Sequence, residues 1–233
     1  LFFPLHPTSW DGMFPLIQKL NKKNMFTLEI LVCNPYIYKK SKEHPNIVNY
    51  IHLYEDNLIK IFINRITKLI NKILNFFISR FVNMNYLPQL IDSIIVSERK
   101  LNKALSFDKY LSAVIYTDRT IDNGFTPALL KVLNENSIPI VMPPIAESSI
   151  YLRKRRLDTN YYADKNPDFM KEYPNSFIFD IKTNKNLFFY RIKEMKSLIR
   201  LGLMPKIPWI NGGGRSDKVL LSSEVARDYF TKK

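Results

Sequence analysis

Alternating strand-like and helix-like stretches predict an α/β domain, three layers deep, on a mostly parallel sheet. Three observations carry that prediction. Short β-rich apolar runs end in Pro, Asn or Asp, and amphipathic stretches separate them. The 233 residues are 46% hydrophobic and 24% charged, the balance of a globular chain with ample length for a core.

Residues 1–5 read as a short buried strand, 6–12 as a loop, and 13–23 as a helix with apolar Phe14, Leu16, Ile17 and Leu20. Residues 26–33 form the next strand, ended by Asn34-Pro35, completing one β-loop-α-β unit. Residues 56–82 repeat apolar side chains at three- and four-residue steps, interrupted by Lys60, Arg65, Lys68, Lys72 and Arg80. They predict one long basic helix, or two joined near Asn75, with Asp56 favouring the first turn. Residues 111–116 are a strand, 126–136 a helix with Pro127 in its first turn, and 138–142 a strand ended by Pro143-Pro144. Residues 151–176 show little periodicity and much charge, the mark of a long loop excursion. A helix over 188–201 capped by Gly202, a strand over 218–221 and a helix over 223–231 complete the reading.

Composition excludes several classes. A membrane-spanning helix needs roughly 18 apolar residues, and the longest charge-free runs, 81–91 and 136–146, are shorter. One cysteine, Cys33, leaves no internal disulfide or Cys-rich zinc site, and suits a reducing compartment. His6, His44 and His52 are scattered, so no metal site and no cofactor are expected. The net charge of +14 fits an anionic membrane surface, a nucleotide or a phosphorylated partner. Nucleic acid is disfavoured, because no recognised binding motif occurs and aromatics do not interleave with the basic run 153–156. That run and the long basic helix leave open a non-catalytic, membrane-peripheral binding module. The chain opens on Leu1 rather than Met, which reads as a trimmed start.

Three of the six glycines form Gly212-Gly213-Gly214, followed by Arg215-Ser216-Asp217. Such a triplet tolerates positive φ and close approach, and its N–H groups can cradle an anion; a flexible turn is the alternative. Neither the phosphate-loop spacing nor the dinucleotide fingerprint occurs. The segment His6-Pro7-Thr8-Ser9-Trp10-Asp11-Gly12 follows the first strand, at the carboxyl edge where parallel sheets bind ligands. His6 and Asp11 are candidate bases there, and Trp10 a stacking platform; helix capping and inward packing are the alternatives. Asp118 and Arg119 follow the strand over 111–116, and Glu147 follows that over 138–142, at the same predicted edge. No Asp-x-Asp occurs, which removes the metal-dependent single-domain sugar transferases.

The order of these pieces resembles the N-terminal half of two-domain, GT-B-type glycosyltransferases. The resemblance rests on the polar loop after the first strand, on Met13-Phe14-Pro15-Leu16, on Phe125-Thr126-Pro127-Ala128-Leu129-Leu130 and on Ile138-Pro139-Ile140-Val141. The segment Pro208-Trp209-Ile210-Asn211-Gly212-Gly213-Gly214-Arg215-Ser216-Asp217 and the following 218–224 are similar to surface-polysaccharide transferases and UDP-sugar 2-epimerase-like relatives just before their second domain. The resemblance implies a single Rossmann-like acceptor-side domain over 1–233, with the donor domain absent from this chain. It implies metal-independent transfer in cell-surface polysaccharide biosynthesis. His6, Asp11, Asp118 and Glu147 would line the cleft as candidate catalytic groups. Trp10, Gly12, Arg119, Gly212, Gly213, Gly214 and Ser216 would contact substrate. The implied partners are a nucleotide-sugar donor and a carbohydrate or lipid-linked acceptor, in the cytoplasm or on the inner face of a membrane. A UDP-sugar 2-epimerase-like enzyme is the rival on the same fold.

Overall fold

Two adjacent phenylalanines at the centre of the sheet face opposite ways and divide the core in two. The computed structural model describes residues 1–5, 7–54, 88–121, 124–143, 163, 166–210 and 212–220. Phe2, with Ile30 and Val32, packs against Trp10, Met13 and Ile17 of one helix and Ile37 of the next. Phe3, with Leu31 and Ile115, packs on the other face against Ile94, Leu101, Leu129 and Leu198. The two-residue period of a strand produces this division. The result is a Rossmann-like three-layer α/β fold.

Strands β1 (Phe2–Phe3), β2 (Glu29–Val32), β3 (Asn49–His52), β4 (Ala113–Ile115), β5 (Ile140–Met142) and β8 (Lys218–Val219) form one parallel sheet in the order β3-β2-β1-β4-β5-β8. Register is set by Phe2 opposite both Ile30 and Val114, by Ala113 opposite Ile140, and by Val141 opposite Lys218. Asp217 clamps the last pairing, because its N–H donates to the Ile140 carbonyl at 2.9 Å and its carboxylate accepts the Ile140 N–H at 2.7 Å. Strands β6 (Phe177–Asp180) and β7 (Lys185–Phe188) form a separate antiparallel hairpin.

Helix α1 (Pro7–Lys23) begins six residues before the predicted start, so Trp10, Asp11 and Gly12 belong to a helix rather than a loop. Proline is preorganised for a first helical turn, where its missing N–H costs nothing. Burial of Ser9, Trp10, Met13 and Ile17 on one face then holds the turn on the sheet. Helix α2 (Pro35–Glu43) and strand β3 were not anticipated; the Asn34 side chain caps α2 by accepting the Ile37 N–H at 3.0 Å.

Helix α3 (Pro88–Ala104) packs on α4 (Phe125–Glu135), where Lys131 meets Glu98 at 2.7 Å. The predicted excursion over 151–176 contains helix α5 (Pro167–Glu172) and a 3-10 turn, Pro174–Ser176, both too short to leave a periodic signal. The predicted helix over 188–201 shrinks to α6 (Ile192–Arg200), because Phe188 is the last residue of β7 and the buried Phe189 and Tyr190 that follow it lie outside any helix. Gly202, at φ 64°, ends α6 as expected: its N–H donates to Ile199 O and that of Leu203 to Leu198 O. The predicted helices over 56–82 and 223–231 and the basic run 153–156 lie outside the described residues. No helix among the described residues is long and apolar enough to cross a membrane.

Candidate functional site

Strand order reverses between β1 and β4, and at such a reversal the loops leaving two neighbouring strands part to open a crevice at the carboxyl edge. Helix α1 enters from the β1 side and Tyr116-Thr117-Asp118-Arg119 from the β4 side. They meet closely: a β-carbon on Gly12 would sit 3.6 Å from Tyr116 Cε2. Asp11 is exposed on the first turns of α1. The Lys40 ammonium on α2 is held protonated chiefly by its hydrogen bond to Glu43, with Asp11 adding a smaller attraction. Trp10 is only 2% exposed and stacks on Phe14 with ring centres 4.8 Å apart, so its indole belongs to the core beneath the crevice.

Asp118 is the organising residue on the β4 side. Its Oδ1 accepts the N–H of Gly212 at 3.0 Å, and Oδ2 accepts those of Gly214 and Arg215 at 3.1 Å and the Ser216 hydroxyl at 3.2 Å. The side chain is buried at 2% exposure. The glycine loop is therefore an anion nest, and the anion it encloses is the protein's own carboxylate. Glycine is required locally. Gly212 has φ 85° and its β-carbon would overlap Val219 Cγ2, while a β-carbon on Gly213 would lie 2.5 Å from the Ile207 carbonyl oxygen. The Gly213 carbonyl accepts the Ile207 N–H at 2.8 Å, closing the loop onto the segment before it.

Arg119 turns the other way. Its Nη1 donates to the carbonyls of Trp209 at 2.8 Å and Pro208 at 3.3 Å, and its guanidinium lies 5.0 Å above the Phe189 ring. Its own carbonyl accepts the Tyr190 hydroxyl. Arg215 donates to the Gly202 carbonyl, and burial holds its pKa below the usual arginine value. The recess between Asp118, Arg119, Arg215, Pro127 and Leu198 has room for about one water molecule, roughly 10 Å³.

Six of the expected site residues thus come together: Asp118, Arg119, Gly212, Gly213, Gly214 and Ser216. Trp10, Asp11 and Gly12 share α1. His6 and Glu147 lie outside the described residues. Arg215 and Tyr190 belong to the cluster and were not singled out. The adjacency of Arg215 to the glycine triplet was the one available signal for it, and Tyr190 offered none. Among the described residues, no group of three or more His, Cys, Asp or Glu side chains could hold a metal ion. Comparison with protein-family models, curated proteins and solved structures found no match for this chain.

Proposed function

We propose that this chain is the acceptor-binding half of a nucleotide-sugar-dependent, GT-B-type glycosyltransferase of cell-surface polysaccharide synthesis, working peripherally on the inner face of a membrane. The observation that carries the reading is the strand reversal between β1 and β4, with α1 and the Asp118 loop on either side of the crevice. In the reaction, an acceptor hydroxyl oxygen bonds to the anomeric carbon of the donor sugar. The bond to the nucleoside diphosphate breaks, and the hydroxyl proton passes to a protein base. Asp118 supports the reading in a different role from the one its position first suggests. With four donors on its two oxygens, it holds the loop in shape, leaving His6, Asp11 and Glu147 as candidate bases.

The test is product analysis of the chain joined to a donor-binding domain, with a panel of nucleotide sugars and lipid-linked acceptors, for wild type, His6→Ala, Asp11→Ala and Glu147→Ala. A new glycosidic bond, lost in one of the variants, supports the proposal. Epimerised free sugar without an acceptor product moves the chain to the 2-epimerase class, and wild-type transfer by all three variants removes this site.

A further inference from the structure

The β6–β7 hairpin stands apart from the main sheet, and its two ends are built differently. At its base Phe188 meets Phe169 and Phe177 edge-on, with ring centres 5.8 and 6.4 Å apart, and Leu187 and Phe188 are buried. At its tip the Asp180 carboxylate accepts the Thr183 N–H at 3.1 Å and the Thr183 hydroxyl at 2.7 Å, and Asn184 takes φ 54°. The turn therefore has a fixed shape. It presents Ile181 at 84% exposure beside Phe179 at 50%. Lys182 is exposed on the same turn. A closed hairpin tip that holds two large apolar side chains in water, with a cation alongside, has the composition of an interaction site rather than of a solvated loop.

We propose that this tip docks on an anionic lipid bilayer, with Ile181 and Phe179 entering the boundary between headgroups and acyl chains and Lys182 lying against lipid phosphates. Charge complementarity selects this occupant: Lys182 is the one charged residue of the turn, and the whole chain carries +14. Size selects it as well. The four residues between β6 and β7 offer far less than the roughly 800 Å² per partner of a specific protein interface. An apolar wedge beside a lysine suits the membrane interface, where apolar insertion and attraction to anionic lipid act together. The proposal takes up the peripheral placement suggested above and is independent of the transfer chemistry, so either can fail without the other.

Co-sedimentation of the full chain with phosphatidylcholine vesicles, with and without phosphatidylglycerol, tests it. The wild type binds the anionic vesicles and is released by high salt. Ile181→Asp lowers that affinity about tenfold with no change in Tm, because the side chain touches little in the folded protein. In Ile181→Trp the added indole shifts its emission to the blue on anionic vesicles. Three results overturn the proposal: no wild-type binding at low salt, equal binding by Ile181→Asp, or an unshifted emission from Ile181→Trp. Undiminished binding to neutral vesicles overturns the part assigned to charge.

Discussion

The carboxylate of Asp118 accepts the backbone N–H of Gly214 at 3.1 Å, joining the end of β4 to a loop 96 residues further along the chain. Three more donors from that loop share the same two oxygens. The contact makes the crevice wall and the approach to β8 one rigid unit, with the charge of Asp118 balanced inside it.

Asp118→Ala leaves three N–H groups and a hydroxyl without their acceptor. The expected loss is about 3 kcal/mol, since each buried donor deprived of its partner costs roughly 1–3 kcal/mol and solvent recovers part of it. Urea unfolding measures it. Added formate, an anion small enough for the vacated nest, restores part of the loss in Asp118→Ala and leaves the wild type unchanged. Equal stability of variant and wild type would show that the nest does not depend on its anion.

Gly212→Ala places a methyl group at positive φ and against Val219. A loss of about 2–3 kcal/mol is expected from strain and overlap together. Gly212→Ala,Val219→Ala relieves the overlap and leaves the strain, so the pair is more stable than the sum of its separate losses predicts. Thermal unfolding of the double-mutant cycle reads this coupling.

Arg119→Lys keeps the charge and loses the planar fork that spans the carbonyls of Pro208 and Trp209 over Phe189. The expected cost is about 1–2 kcal/mol, read as a lower urea midpoint. An unchanged midpoint would mean that charge alone holds the segment.

Acid lowers stability in two stages. His52 on β3 has its pKa held below the ordinary histidine value, first by burial and then by Lys42. For Glu29 on β2, burial pushes the carboxyl up, but hydrogen bonds from Lys109 at 2.8 Å and Tyr110 at 2.6 Å, with the Lys109 charge, outweigh it and hold the carboxyl below its usual range. Both folded values lie under the unfolded ones, so both contributions are complete at higher pH and vanish as pH falls. Tm is expected to fall as pH drops from about 6.5, and to fall again below about 4.5. His52→Gln shrinks the first decline and Glu29→Gln the second; declines unchanged in both variants would contradict this assignment.

How much of this was legible depends on the range of the interaction that makes each element. The strands at Ala113–Ile115 and Ile140–Met142 are β-rich and bracketed by breakers, and the Gly202 stop is chemical, so local sequence announces them. The early start of α1 was not legible, because it depends on Trp10 and Ser9 finding the sheet. The hairpin was hidden because Phe177–Asp180 and Lys185–Phe188 are four-residue runs without apolar alternation, and only the pairing of Phe177 with Phe188 decides. At the site, the glycine triplet advertised an anion nest, and Asp118 was visible as a strand-end acid. That each is the other's partner is a contact across 94 to 98 residues, which one sequence read locally does not display.

The two-residue strand β1 also orders events in time. It pairs with β2 on one side through Ile30 and with β4 on the other through Val114 and Ile115. During synthesis the first edge can close as soon as β2 leaves the ribosome, whereas the second stays open until residues 113–115 follow. For that interval the middle of the finished sheet is an unprotected edge, with Phe3 uncovered beside it. A nascent chain stalled between β2 and β4 would be this protein's most aggregation-prone form, and a chaperone that recognises short aromatic segments would find its target at Phe2-Phe3.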